Sequence, residues 1–193
     1  METPDSIIIR QVLAGQAAAY SALVERYQHY VFTLVLRYVS QREQAEELAQ
    51  DVFVKAYSSL RDFRAESKFS TWLYTIVHTT CLSHLRKKPS GMIPVEEDKL
   101  AALADRSGHD ATGQVVEHRF RKAMLESAIS RLSPTDAELL TLFYQGEQTL
   151  EEIALITGMA ANTVKVKLHR ARQRLRDLLT QRFPEEVLHL KHA

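Results

Sequence analysis

The sequence predicts an all-α chain: two small helical domains joined by a flexible acidic linker, the C-terminal one containing a helix-turn-helix. Three observations carry this. Apolar residues recur at spacings of three and four through most of the first 88 residues and again after residue 118, which is the period of an amphipathic helix. The chain has six glycines and five prolines in 193 residues, and three of those glycines and two of those prolines fall between Pro89 and Glu117. Thr149 to Arg176 pairs a short capped helix with a long basic one across Gly158. The boundaries that follow are domains over 1–88 and 118–183, a linker over 89–117 and a tail over 184–193.

The first segment, Ser6 to Leu13, is apolar and stops at Gly15. A second helix over 16–39 is marked by Ala19, Leu23, Tyr27, Tyr30, Val31, Leu34 and Tyr38. Ser40 and Glu43 read as a capping box for a third, in which Ala45, Leu48, Ala49, Val52, Phe53, Ala56, Tyr57 and Leu60 form one stripe. The other side of that helix holds Glu46, Glu47, Gln50, Asp51 and Lys55. After a polar turn, Ser70 reads as the cap of a helix running to about Arg86, with Leu73, Ile76, Val77, Thr80, Cys81 and Leu85 inward. Trp72, Tyr74, Thr75, His78 and Thr79 lie elsewhere on its circumference, and Arg86, Lys87 and Lys88 close it.

The linker holds six acidic residues against two basic ones and no sustained helical period. Its 29 residues, as a flexible chain, span roughly 30 Å on average. In the free chain the two domains are expected to pack together and to bind duplex DNA poorly. Beyond the linker, Ser133 caps a helix with Pro134 at its first position, and Gly146 ends it. Thr149 and Glu152 make a second capping box, and Gly158 turns the chain into a helix beginning near Asn162.

Composition bounds the function. Hydrophobic residues at 45% and charged residues at 25% are those of an ordinary globular protein, and a net charge of +1 gives no overall basic field. The single cysteine, Cys81, excludes an internal disulfide and a cysteine zinc site, and reads as a small buried apolar group in a reducing compartment. No basic-then-apolar leader opens the sequence, and no apolar run reaches the ~18 residues that span a bilayer. A cytoplasmic protein is expected.

Charge is concentrated in the last helix. From Asn162 to Arg176 there are six Lys or Arg residues and no Asp or Glu. Val164, Leu168, Ala171, Leu175 and Leu178 commit one face to the core, leaving Lys165, Val166, His169, Arg170 and Gln173 on a common outer face. In a helix-turn-helix this part of the second helix enters the major groove, where Arg and Lys donate to guanine and Val touches a thymine methyl. Lys167, Arg172, Arg174 and Arg176 fall where phosphates are expected. A second surface combines Trp72 and Tyr74 with the basic cluster at Arg86, aromatics beside cations that suit single-stranded DNA. The bland alternatives are a solvated basic face for the first and partial core residues for the second.

These residues also carry a resemblance. Leu60-Arg61-Asp62-Phe63-Arg64 through Phe69-Ser70-Thr71-Trp72-Leu73-Tyr74-Thr75-Ile76 resembles the second conserved region of extracytoplasmic-function (group IV) sigma factors of bacterial RNA polymerase. Ala45-Glu46-Glu47-Leu48-Ala49-Gln50-Asp51-Val52-Phe53 is similar to that family's core-binding helix. Leu150-Glu151-Glu152-Ile153-Ala154, Thr163-Val164-Lys165 and Leu168-His169-Arg170-Ala171-Arg172 resemble its fourth region. The resemblance implies that Glu46, Glu47, Gln50, Asp51 and Lys55 dock on the polymerase clamp coiled coil. It implies that Trp72, Tyr74, Thr75, His78, Thr79, Arg86 and Lys87 capture the melted minus-ten strand. Lys165, Val166, Lys167, His169, Arg170, Arg172, Gln173 and Arg174 would read the minus-thirty-five duplex. It further implies contact with the polymerase flap, a linker threading past the catalytic cleft, and control by an anti-sigma factor, often membrane-bound. The chain departs from the family pattern at His78 and Thr79, where Arg and Asn are frequent, and at Ala160 and Val166, where Ser is common.

Two rival readings remain in view. A conventional transcription factor would bind DNA through the C-terminal half alone, but the first half holds no recognisable ligand or phosphoacceptor domain. An enzyme would need a phosphate loop, a nucleophile motif or paired carboxylates in a cleft, and none is present. No cofactor is implied; His189 and His192 read as frayed tail rather than metal ligands.

Overall fold

The computed structural model describes residues 3–87 and 113–184, and side chains from Arg119 onward in the second span. Among the described residues there are eight α-helices and no strand. Helices α1 (Asp5–Leu13), α2 (Tyr20–Val35), α3 (Arg42–Ser58) and α4 (Phe69–Lys87) form the N-terminal bundle. Helices α5 (Gly113–Ile129), α6 (Pro134–Tyr144), α7 (Leu150–Thr157) and α8 (Ala161–Arg182) form the C-terminal one.

Helical spacing places the N-terminal core as read. Leu23, Val31, Leu34 and Val35 of α2 meet Ala45, Leu48, Val52 and Ala56 of α3 and Leu73, Val77 and Cys81 of α4, all buried. Removing one fully buried leucine side chain such as Leu73 costs about 2–5 kcal/mol, because the cavity relaxes only in part. Burial pushes the Cys81 thiol up to about 12, consistent with a small apolar core residue. On α1, Ile8 and Ile9 face inward, and Asp5 ties the helix to α2 by pairing with Arg26 and accepting from the Tyr27 hydroxyl.

Several local expectations need correction. Residues 16–39 are not one helix: a 3-10 turn over Ala17–Ala19 precedes α2, which ends at Val35. Ser40 and Glu43 do not form a capping box. The cap of α3 is Gln41, one residue later, with no side-chain bond to the helix backbone, so Ser40 lies outside reach of the first turn. Ser70 falls inside the first turn of α4, which begins at Phe69. Residues 113–117, read as linker, already belong to α5; the rest of that linker, 89–112, lies outside the described residues, as does Lys88. Helix α8 starts at Ala161 with Ala160 as its cap, so Asn162 caps nothing.

Other signals worked as chemistry requires. The Ser133 hydroxyl accepts from the Asp136 amide, 3.2 Å away, with Pro134 at the first helical position. Thr149 and Glu152 complete a reciprocal capping box at the head of α7. Gly158, at φ +69°, ends α7 in the left-handed conformation that a side chain disfavours. Helix α8 then packs on α5, α6 and α7 through buried Val164, Leu168 and Ala171.

The two bundles also pack on each other, α4 against α7 and α2 against α6. Buried apolar side chains of both halves form one continuous cluster.

Candidate nucleic-acid interface

Helix α8 presents the charge that its sequence promised. Lys165, Val166, Lys167, His169, Arg170 and Gln173 are all exposed, over a buried row of Val164, Leu168 and Ala171. Val166 is half exposed, at 50%, an apolar group offered to solvent among cations. The αL turn at Gly158 sets this helix across α7, so the outer face of its first half is unobstructed by the rest of the domain.

Two of the expected phosphate ligands have partners within the domain. The Arg172 guanidinium lies over the Phe143 and Tyr144 rings, 5.0 and 5.4 Å from their centroids, and is half-buried. Arg174 pairs with Asp136 on α6, whose side chain is 7% exposed. Both contacts fix the angle between α6 and α8 and so the aim of the exposed face.

Helix α4 divides the other expected set between two sides. Trp72, Thr75, Thr79 and Arg86 follow one face by threes, fours and a further two turns; Thr79 and Arg86 are exposed, as is Lys87, and Trp72 and Thr75 are half-buried. Trp72 sits against Phe63 and Phe69, with centroids 5.4 and 5.6 Å away, so an aromatic ledge borders this face. Tyr74 and His78 point elsewhere and are buried, at 5% and 8%. Tyr74 packs its ring on Tyr27 and Tyr30 of α2. The Nδ1 of His78 lies 2.9 and 3.1 Å from the carboxylate oxygens of Glu138 on α6, and 3.0 Å from the Tyr38 hydroxyl. Neither is placed to meet a strand in this arrangement.

On α3, Glu46, Glu47, Gln50, Asp51 and Lys55 are exposed, opposite the buried stripe. Arg42 pairs with Glu46, and the Lys55 ammonium donates to the Thr80 hydroxyl at 3.1 Å. Val54 joins this face, 65% exposed.

The residues that sequence reasoning missed line the seam between the bundles. The Arg37 guanidinium donates to Glu126 at 2.8 Å and to the Thr141 hydroxyl at 2.9 Å. Tyr30 donates to the Thr141 carbonyl, Thr71 to Gln148 Oε1, and Lys68 pairs with Glu152 at 3.0 Å. Burial pushes the Glu152 carboxyl up, but the Thr149 amide and the Lys68 ammonium outweigh it and hold it below its ordinary value. Burial and the Glu138 carboxylate both raise Tyr38, keeping its hydroxyl a donor. One signal was available: Glu138 is a lone acid inside the apolar run Ala137 to Phe143, and an acid on a buried helix face requires a partner.

Among the described residues no helix is long and apolar enough to cross a membrane, and no cluster of three or more metal-ligating side chains occurs. His189 and His192 lie outside the described residues.

Comparison with known proteins meets this geometry at both ends. Sigma-70 region 2 matches residues 23–90, and Sigma-70 region 4 matches residues 122–175. The RNA polymerase sigma-H factor of Pseudomonas aeruginosa is 31% identical over 176 residues, covering 88% of this chain and 90% of that protein. SigW of Bacillus subtilis is 31% identical, with 89% and 94% covered, and the sigma-E factor of Escherichia coli 32% identical, with 88% and 91% covered. The structure of CnrH bound to the cytosolic domain of CnrY superposes with a TM-score of 0.65 at 21% identity, covering 92% of this chain and 98% of that one. Regions 2 and 4 in this order, and relatives more than 30% identical over nearly nine-tenths of the chain, place it in the extracytoplasmic-function family of alternative sigma factors, which bring core RNA polymerase to its promoters.

Proposed function

We propose that this sigma factor divides its work among three surfaces. The α3 face of Glu46, Glu47, Gln50, Asp51 and Lys55, with Val54 among them, docks on core polymerase. The ledge of Trp72, Thr75 and Thr79, with Arg86 and Lys87 beyond it, holds the melted minus-ten strand; Tyr74 and His78 support it from the buried side. The α8 face of Lys165, Val166, Lys167, His169, Arg170 and Gln173 reads the minus-thirty-five duplex, and Arg172 and Arg174 aim it. No step of this work makes or breaks a bond in a substrate, and an anti-sigma protein in the cytoplasm is its natural control. CnrH is seen with the cytosolic domain of CnrY, and the sigma factor RpoE of Bartonella quintana with the anti-sigma factor NepR; both share this fold.

The observation that carries the reading is the outer face of α8: four cationic or imidazole side chains and an exposed valine over a fully committed apolar row. Run-off transcription with purified core polymerase, on DNA enriched from a randomised pool, tests it. Glu47→Lys with Asp51→Lys should lower affinity for core by at least about tenfold, since charge complementarity governs encounter and register. Native helicity with unchanged core affinity would remove α3 as the docking face. Sequence-specific duplex binding without any polymerase-dependent transcription would favour an independent transcription factor.

A further inference from the structure

His169 stands at the centre of the α8 outer face. Lys165 lies one turn before it and Gln173 one turn after, with Val166 and Arg170 beside it, and all five are exposed. The buried row of Val164, Leu168 and Ala171 turns this face away from the domain. In a major groove the middle of such a face meets base edges, while its margins meet phosphates. The imidazole is therefore set against bases, with cations on either side of it.

The charge around His169 has one sign. From Asn162 to Arg176 the helix carries six Lys or Arg residues and no acid, and Asp177 lies two turns beyond. On the helices packed under α8, four carboxylates are engaged elsewhere. Glu126 of α5 pairs with Arg37 and Asp136 of α6 with Arg174; Glu138 faces His78, and Glu152 of α7 faces Lys68. Glu151 is exposed in the first turn of α7, and Arg119, Arg121 and Lys122 of α5 add only positive charge. Among the described residues His169 has no hydrogen-bond or ion-pair partner. The domain thus offers a protonated ring no acceptor, and DNA is what supplies one.

Histidine is the side chain that changes charge between about pH 5 and 8. Protonated, both ring nitrogens donate, and guanine presents acceptors at O6 and N7 in the major groove. Binding that favours the protonated ring takes up a proton. Affinity then rises as pH falls, by at most about tenfold per pH unit for one proton. Lys165 and Arg170 keep their charge across this range, which leaves the response of this face to His169.

We infer that His169 is a proton-dependent base reader: on the duplex its ring is protonated and donates to a guanine edge of the minus-thirty-five element, so that promoter discrimination sharpens as pH falls. This rests on the assignment of α8 as the duplex-reading face.

The test assembles wild-type and His169→Phe chains with core polymerase. Competition binding is measured at about pH 6 and about pH 8 on promoters that the wild-type holoenzyme enriches from randomised DNA, and on single-base-pair variants of their upstream element. His169 is exposed, so phenylalanine there leaves the core untouched, and core polymerase contributes its own pH dependence equally to both samples. The gain in affinity from the higher to the lower pH should be about fivefold larger for wild type than for His169→Phe. That excess should vanish on at least one variant that replaces a G·C pair. A common pH slope for the two chains overturns the proposal. An excess retained on every variant overturns it as well, since a phosphate contact behaves alike on all sequences. Arg170→Ala at one fixed pH tells this failure from failure of the reading face. Full discrimination retained by Arg170→Ala removes the α8 assignment itself, whereas lost discrimination beside a common pH slope removes only the role of His169.

Discussion

Arg170 and Arg174 sit four residues apart on α8 and meet different neighbours. Arg170 is exposed beside Val166 and His169, with no described protein partner; Arg174 is paired with the nearly buried Asp136. Arg170→Ala should therefore lower activity on the cognate minus-thirty-five element and flatten discrimination among variants of that element, by about 1–3 kcal/mol. Arg174→Ala should leave the discrimination ratio intact and destabilise the fold by up to about 1 kcal/mol, because much of its side chain is in solvent. Competition binding across promoter variants checks the first and chemical denaturation the second. Full discrimination retained by Arg170→Ala would show that the reading face lies elsewhere on α8. The exposure of Arg170 was legible because its helical position alone sets it. The partners of Arg172 and Arg174, which are Phe143, Tyr144 and Asp136, were not legible, because they lie on another helix whose crossing angle no spacing reveals.

Among the elements, α7 shows best what local sequence determines. Its cap, its acidic first turn and its αL stop are all short-range chemistry, and each was legible. Thr149→Ala should cost about 0.5–2 kcal/mol through loss of the Glu152 amide's acceptor. Glu152 adds a dependence on pH. Its carboxyl is held below the ordinary value by the Thr149 amide and Lys68, so its contribution is complete above the unfolded-state value of about 4.3 and is lost as pH falls through the lower folded value. Lys68→Met should reduce that acid sensitivity; thermal melts between neutral and strongly acid pH with the same slope as wild type would contradict it. Where two caps compete, local reading failed. Ser40 was placed one residue too early at α3, whose cap is Gln41, extended and without a side-chain bond to the helix. The core stripes of α2, α3 and α4 were legible in the main, though Tyr57, expected inward, is 45% exposed. The buried side of α4 that meets α7 was not, since Glu138 is 60 residues from His78 and Gln148 is 77 from Thr71.

At the scale of the whole molecule, one glycine governs how closely the halves approach. Gly146 follows the α6 cap, Gln145, as a helix stop, and the place a Cβ would take lies 2.1 Å from the Tyr30 hydroxyl across the seam and 2.9 Å from the Leu142 carbonyl. Tyr30 cannot yield freely, because its hydroxyl is bonded to the Thr141 carbonyl and its ring packs on Tyr74. A methyl group there would have to displace Tyr30 or part the halves. With buried side chains continuous across both halves, the wild-type chain should melt in one cooperative transition whose calorimetric and van't Hoff enthalpies agree. Gly146→Ala should divide it into two, each half absorbing heat at its own temperature. A single unaltered endotherm would mean that the halves are thermally coupled by something other than this contact.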